Sequence, residues 1–453
     1  QSTIKFFMNK ATKKAPAKKE EAETTAAKPA KRARKPGKFT FQSVKGMHDI
    51  LPVDQVFWDK IRKEVLNISD YYGFERIDTP AIENAAVFEK GVGAATDIVE
   101  KEMFYIKSDD KLVLRPECTA SVVRAYLEHG MTHLPQPVKL YYFGPMYRHE
   151  QPQEGRFREF HQVGFEILGS ESDPIYDAQV ILACYRLLEA CKLSKLEIHV
   201  NTIGCRVCRP VFRRRLLEYY KNKPICKDCR RRIVTNPLRL LDCKEEKCEK
   251  FKKDAPTILD STCNNCNTHF KSVVEYLDEL KIPYILDNNL VRGLDYYSRT
   301  TFEIFETGSK LALAGGGRYD YLVEILGGKV TPAVGAALGV ERIVSLMQER
   351  NPEMGRKSKV DVFLVHIGSL AKKKSLVLIE ELRKGGIRVR EALGKDSMKS
   401  QLRQADKENV TLALIYGQKE AFEDTIIIRD LANSSQETVP LEKLVAEVKR
   451  RLK

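Results

Sequence analysis

Tyr142 to Gln162, YFGPMYRHEQPQEGRFREFHQ, is the stretch on which the reading of the fold turns. Lys139 to Tyr147 is apolar and aromatic, as a buried strand is, and Phe157 to Phe165 alternates as a returning strand does. A polar loop lies between them. The hairpin so predicted puts Arg148 at the end of one strand and Gln162 on the other, with Arg156 and Arg158 on the loop or its far shoulder. Guanidinium groups are planar and point two donors at two oxygens, which suits phosphate. An edge hairpin with merely solvated arginines would read the same way, so the neighbouring segments decide.

Outward from the hairpin, 453 residues are too many for one ordinary core, and two or three domains with a large central one are expected. No apolar run approaches membrane-spanning length, so a soluble protein with no membrane partner is expected. The formal charge of +15 is unevenly placed. Residues 1–38 carry twelve Lys/Arg against three Glu, and residues 205–270 carry seventeen against eight Asp/Glu, so each segment is +9 and the rest is slightly acidic. A basic tail and a basic internal segment both invite an anionic partner. Residues 1–37 have few apolar residues beyond Ile4, Phe6, Phe7 and Met8, and are predicted to be a disordered basic tail. Such a tail serves either as a phosphate-binding arm or as a solvated linker. Residues 9–38 lack the apolar segment of a secretory signal, and Glu20, Glu21 and Glu23 fit an organellar leader poorly. With eleven cysteines in so long a chain, a reducing, cytoplasmic compartment is expected.

In chain order, Asp54 to Tyr72 repeats apolar residues at helical spacing, Gly73 stops the helix, and Phe74 to Ile77 begins a strand. Met103 to Gly130, MFYIKSDDKLVLRPECTASVVRAYLEHG, reads as a hairpin turning at Asp109-Asp110, then a helix from Thr119. Thr119 would cap that helix and Glu117 would sit at its positive end. Asp173 to Cys191 reads as a helix and Leu196 to Thr202 as a strand. From Ile282, short strands are expected around Arg292, Phe302 and Leu311, then a Gly-rich turn and helix over 315–326. Ala333 to Met347, AVGAALGVERIVSLM, reads as a small-residue strand entering a helix. Asn351 to Lys359 is a polar linker. Beyond it, β-like Val360 to His366, Ile387 to Arg390, Thr411 to Tyr416 and Thr425 to Arg429 alternate with helical Ser375 to Lys384, Met398 to Glu408 and Leu441 to Leu452, which argues a small α/β domain.

Cysteines come in pairs at Cys205/Cys208, Cys226/Cys229, Cys243/Cys248 and Cys263/Cys266. Three pairs have the two-residue spacing that lets two thiolates meet one tetrahedral ion, and eight ligands would make two four-cysteine zinc sites. Spacing does not say which pairs combine. Redox-active thiols and a degenerate site are the alternatives; four pairs in one segment favour structural Zn²⁺.

The hairpin resembles motif 2 of the class II aminoacyl-tRNA synthetases, and that of the histidyl-tRNA synthetases in particular. Two further stretches, LVRGLDYYSRTTFE over Leu290 to Glu303 and AGGGRYDYL over Ala314 to Leu322, resemble the two signatures of the histidyl family. The helix and strand ending at Pro80 resemble motif 1, and AVGAALGVERIVSLM resembles motif 3. The resemblance runs from about Lys38 to the C-terminus. It implies an α+β protein: an antiparallel catalytic sheet flanked by helices over 38–204 and 271–350, a Cys-rich basic insertion over 205–270, and an α/β anticodon-binding domain over 360–453.

It further implies histidine, ATP with Mg²⁺, and tRNA(His) as substrates, and a homodimer through motif 1. Arg148 would bind the α-phosphate, Arg342 the γ-phosphate end, and Arg156 the outer phosphates or adenine. Arg292 would act near the α-phosphate, making Arg148, Arg292 and Gln162 the catalytic set. Glu117 would pair with the α-ammonium group of histidine, with Cys118, Thr119, Arg148, Gln162 and Arg292 also around that substrate; Glu166 and Tyr297 would read the imidazole, with Tyr296 and Tyr319 lining the pocket. Gln151 and Gln153 would meet the tRNA acceptor end. Arg213, Arg214, Arg215, Arg230, Arg231 and Arg232 of the insertion would meet RNA phosphates. Two alternatives from the same lineage are a regulatory subunit of ATP phosphoribosyltransferase and a non-catalytic tRNA sensor. The first typically lacks a C-terminal domain and has eroded signatures, and the second is normally fused to a kinase.

Overall fold

The structure, a computed structural model, describes residues 41–452 except 95, 154, 170, 310, 356–359 and 409. The predicted tail and the last part of the polar linker therefore lie outside the described residues. Residues 1–44 and 45–453 are separate units; of the first, only 41–44 are described, and they carry no helix or strand.

An amphipathic helix opens the second unit at Gln55–Tyr72, burying Phe57, Trp58, Ile61 and Val65, and Gly73 ends it in the left-handed region at φ 72°. The strands follow in chain order: β1 Glu75–Arg76, β2 Ile82–Asn84, β3 Phe104–Ile106, β4 Asp109–Leu114, β5 Val138–Tyr147, β6 Glu159–Leu168, β7 Leu196–Thr202, β8 Tyr284–Leu286, β9 Ser298–Glu306, β10 Ala314–Arg318 and β11 Ala333–Gly339. Eight of them form one sheet in the order β1-β5-β6-β11-β10-β9-β7-β8. All its pairs are antiparallel except β1 with β5 and β7 with β8. β2, β4 and β3 form a small sheet beside it.

Alternation along the strands gives the large sheet two different faces. Val163, Phe165 and Ile167 of β6, Phe302 and Ile304 of β9, and Val334, Ala336 and Leu338 of β11 bury one face against the helices Gln55–Tyr72, Ile175–Ala190 and Val340–Arg350. Tyr142, Gln162, Gly164, Glu166 and Gly335 stand on the other, in register with Tyr142 opposite Gly164 and Glu166 opposite Gly335. That second face is the floor of the site.

Four sequence expectations need correcting. The β3–β4 turn is at Lys107-Ser108, because Asp109 already pairs with Ile106 and its carboxylate accepts from the Lys111 backbone N–H. Gly315 to Gly317 is strand: the missing side chains let β10 press between β9 and β11, and a β-carbon at Gly316 would strike Ala336. Arg292 lies in the loop between β8 and β9, and Leu311 in the loop between β9 and β10, rather than on strands. Thr119 is inside its helix; Glu117 caps it, accepting from the backbone N–H of Thr119 at 2.9 Å and of Ala120 at 2.8 Å.

Residues 203–263 form a helical segment between β7 and the helix Asn264–Glu279. That helix runs without a break past residue 270, from the Cys263/Cys266 pair to Val273 and Leu277 in the main core. At the C-terminal end, β12 Val362–His366, β13 Val389–Glu391, β14 Leu412–Tyr416, β15 Thr425–Asp430 and β16 Gln436–Pro440 make a second sheet in the order β13-β12-β14-β15-β16. The helices Ser369–Lys384 and Met398–Glu408 pack on its two faces. No helix of the described residues is long and apolar enough to cross a membrane.

Candidate active site

A cavity of about 190 Å³ opens on the polar face of the sheet. Arg148 and Gln162 reach it from β5's end and β6, Arg292, Tyr296 and Tyr297 from the loop before β9, and Arg342 from the helix after β11. Small residues make the room: a β-carbon at Gly315 would overlap the Arg292 guanidinium, and one at Gly335 would overlap Glu166. Arg148 donates to the Pro116 carbonyl at 2.9 Å and lies 5.2 Å over Phe160. Arg342 donates to the carbonyls of Gly155 at 3.0 Å and Ala312 at 2.6 Å. Arg156 pairs with Glu150 at 3.3 Å, and Arg292 pairs with Glu303 while lying 5.7 Å over Tyr297.

These walls are polar and incompletely satisfied. Gln162 Oε1, the Tyr142 hydroxyl and Arg292 Nε are buried and have no hydrogen-bond partner among the described residues. Buried polar groups normally find partners, so three unanswered ones around one cavity mark a site shaped for a polar ligand. Burial, together with the facing charges of Arg156 and Arg148, holds Arg342 below the usual guanidinium range. Cations gathered at that cost suit an anion.

At the other end Thr119 Oγ1 donates to Glu166 at 2.7 Å and the Tyr319 hydroxyl donates to its second oxygen at 2.5 Å. Burial pushes the Glu166 carboxyl up to about 8, against the pull of those two hydroxyls and with Glu117 adding to the rise. Its ordinary value is 4.5. Across the window from 4.5 to about 8 the folded protein holds a proton that the unfolded chain has lost, so the stability that the neutral acid contributes drains away as the pH rises. Glu166→Gln should therefore flatten the fall in thermal midpoint between pH 5 and about 8 in scanning calorimetry. Equal slopes in the two proteins would contradict this.

Of the residues singled out in the sequence, Glu117, Thr119, Arg148, Arg156, Gln162, Arg292, Tyr296, Tyr297 and Arg342 line one cavity. Glu166 and Tyr319 stand behind Thr119, Cys118 is buried with its thiol 3.4 Å from Thr79 Oγ1, and exposed Gln151 and Gln153 are off the wall. Burial pushes the Cys118 thiol up to about 12, far from a reactive thiolate. Sequence reasoning missed Tyr142, Glu150 and Glu303. Tyr142 was legible in principle, since it alternates onto the same face of its strand as Arg148 at the strand's end; Glu303 faces the site as the register partner of Gly315.

The eight paired cysteines gather as Cys205, Cys208, Cys263 and Cys266 and as Cys226, Cys229, Cys243 and Cys248, with the sulfurs of each group all within 4.8 Å. The first pair thus joins the last and the second joins the third. Sulfurs lie 3.6 Å apart for Cys205 and Cys208, 3.9 Å for Cys205 and Cys263, and 3.8 Å for Cys226 and Cys243. A tetrahedron with metal–sulfur bonds of about 2.3 Å has edges of about 3.8 Å, whereas a disulfide would need about 2.05 Å. Backbone N–H groups of Cys263 and Cys226 point at the sulfurs of Cys208 and Cys248 at 3.1 and 3.2 Å, as suits thiolates. The donor set fits a soft, tetrahedral ion. Asp97, on the main body, faces Arg239 at 3.0 Å and Arg231 and Arg232 at 3.7 Å, so part of the insertion's basic face is turned inward. Arg213, Arg214, Arg215 and Arg230 are exposed.

Residues 46–343 match a family model described as histidyl-tRNA synthetase, and residues 360–451 match one described as an anticodon binding domain. The histidine–tRNA ligase of Desulforamulus reducens is 42% identical over 414 residues, spanning 90% of this chain and 98% of that protein. That of Syntrophotalea carbinolica is 42% identical over 409 residues, spanning 89% and 97%. The crystal structure of apo S. aureus histidyl-tRNA synthetase superposes with a TM-score of 0.74 at 31% identity, over 90% of this chain and all of that one. With both signatures folded into one arginine-lined cavity and relatives matched over nearly their whole length, the chain belongs to the histidyl-tRNA synthetase family.

Proposed function

We propose that the chain is an ATP-dependent histidine–tRNA ligase: the carboxylate of histidine attacks the α-phosphorus of ATP, expelling pyrophosphate, and a ribose hydroxyl at the 3′ end of tRNA(His) then takes the histidyl group from the adenylate. The observation that carries this reading is the cavity itself, with Arg148, Arg292 and Arg342 at one end and the Thr119–Glu166–Tyr319 group at the other. Neither step needs a protein nucleophile. An in-line displacement at phosphorus is governed by alignment and by charge stabilisation, which fixed guanidiniums supply.

In this reading Arg148 and Arg292 take the α-phosphate, Arg156 and Arg342 the outer phosphates, Glu117 pairs with the substrate's α-ammonium group, and Gln162 binds its amino or carboxylate group. The imidazole is read at the Thr119, Glu166, Tyr297 end, with Tyr296 and Tyr319 holding the wall. A pocket of buried hydroxyls and carboxyls rejects apolar analogues because its own groups would go unpaired. Mg²⁺ comes with ATP as substrate; phosphate oxygens and one or two carboxylates satisfy such an ion. Of the four glutamates in the wall, Glu117 accepts from the backbone N–H groups of Thr119 and Ala120 and Glu341 from that of His161, which leaves Glu150 and Glu303 as the candidates. Gln151 and Gln153 meet the acceptor end of the tRNA, and residues 360–453 its anticodon. The division into a tail over 1–37, a catalytic domain over 38–204 and 271–350, and an insertion over 205–270 belongs to the same proposal. So do structural Zn²⁺ at each cysteine group, a homodimer through the helix Gln55–Tyr72, and a cytoplasmic location.

Charging a tRNA(His) transcript with labelled histidine, ATP and Mg²⁺ tests the reading. Acid-precipitable label that depends on all three supports it, and none from folded protein overturns it. Sedimentation of the same sample tests the dimer, expected at twice the 51.7 kDa chain mass.

A further inference from the structure

The two cysteine groups stand in different places, and their surroundings differ in what they touch. Cys226 and Cys243 border a cleft of about 500 Å³ shared with Arg148, Arg156 and Arg342, on the phosphate side. The group at Cys205, Cys208, Cys263 and Cys266 instead ties together the end of β7, the start of the helix Cys208–Tyr220 and the start of the helix Asn264–Glu279. Two short connections lead from it to the amino-acid end of the cavity.

The first is through the backbone. Ile203 N–H donates to the Arg299 carbonyl at 2.7 Å and Arg299 N–H donates to the Gly204 carbonyl at 2.9 Å, immediately before Cys205. Arg299 sits at φ +51°, a strained setting for a side chain with a β-carbon, two residues after Tyr297. The second is through side chains. His269, one helical turn after Cys266, is 5% exposed and lies with Nε2 3.2 Å from Asp177. Arg299 approaches its Nδ1 at 3.5 Å, which leaves Nε2 as the donor to the carboxylate. Asp177 pairs with Arg318, which is wholly buried and also donates to Asp320 at 3.0 Å. Arg318 is followed by Tyr319, whose hydroxyl holds Glu166.

We infer that His269 is a positioning residue that couples the Cys205/Cys208/Cys263/Cys266 centre to the histidine pocket, through Asp177 and Arg318 to Tyr319 and Glu166. The inference rests on the ligase reading and on metal at that centre. It assigns histidine affinity to this centre and leaves ATP affinity to the other side of the cavity. Coupling of this kind travels through packed, hydrogen-bonded contacts and needs a direct energetic test.

The test uses the full chain, with histidine binding read by equilibrium dialysis without ATP, ATP read as KM in pyrophosphate exchange, and zinc counted by elemental analysis. His269→Ala should keep two zinc ions and bind histidine about tenfold more weakly, as loss of a buried hydrogen bond to a charged group implies. Its KM for ATP should stay within about twofold, and His269→Gln, whose amide can replace Nε2–H, should recover most of the affinity. If His269→Ala does not fold, Cys263→Ser stands in: one zinc and weaker histidine binding, against one zinc and unchanged histidine binding in Cys248→Ser. Unchanged histidine affinity in His269→Ala, or histidine and ATP weakening together, overturns the inference. Wild-type protein that fails to bind histidine overturns the ligase reading instead, before any variant is compared.

Discussion

Arg292→Ala is expected to lower histidine-dependent pyrophosphate exchange by about 10²–10³-fold, the loss typical of removing one fixed charge-stabilising group from a reaction centre. The expectation comes from how the side chain is held. Its guanidinium pairs with Glu303, lies over the Tyr297 ring, and rests where the absent side chain of Gly315 leaves space. Glu303 and the tyrosines around it hold Arg292 above the ordinary guanidinium range despite burial, so it is charged at every working pH. A cation held this firmly is already in place when charge spreads over the α-phosphate, and no reorganisation is needed at that moment. Alanine would also leave Glu303 without its partner, so a thermal melt must accompany the assay. Arg292→Ala/Glu303→Ala removes both charges, and in it the melt should recover while exchange stays low. Exchange within tenfold of wild type in a folded Arg292→Ala protein would contradict the role.

The second large effect concerns metal. Apart from its cysteines, one cluster within the insertion buries Phe212, Leu216, Tyr220, Ile225, Leu240, Leu241 and Ile258, a small core for a segment of some sixty residues. Thiolate–zinc bonds in such modules contribute on the order of 10 kcal/mol to folding. The purified chain is therefore expected to hold two zinc ions, and exhaustive chelation should unfold the segment, seen as rapid amide exchange over residues 205–266 while the main sheet stays protected. Co²⁺ substituted for zinc should show thiolate-to-metal charge transfer. A metal-free chain whose insertion is equally protected would contradict the account.

Much of this site was readable beforehand, for identifiable reasons. Arg148, Gln162 and Arg342 sit on elements whose periodicity is strong, a β-hairpin and a strand–helix join, so the strand faces could be counted out from the sequence. The loop carrying Arg292 and Tyr296 has no period, and only the signature it resembles drew attention to it. Gly315 to Gly317 was misread as a turn because glycine marks both a sharp bend and a close approach of strands, and only the neighbours β9 and β11 distinguish the two. Thr119 and Glu117 exchanged expected roles: both suit a helix start, and the distant Glu166 claimed the threonine hydroxyl. The outer cysteine group and the His269–Asp177–Arg318 chain depend on contacts between residues 58 to 141 positions apart, which no local pattern encodes.

The most direct test of the whole account is exchange of labelled pyrophosphate into ATP by the wild-type chain with each of the twenty amino acids in turn. The account predicts Mg²⁺-dependent exchange with histidine and none above background with the rest. Exchange driven by another amino acid, or none with histidine from folded, zinc-loaded protein, would contradict it.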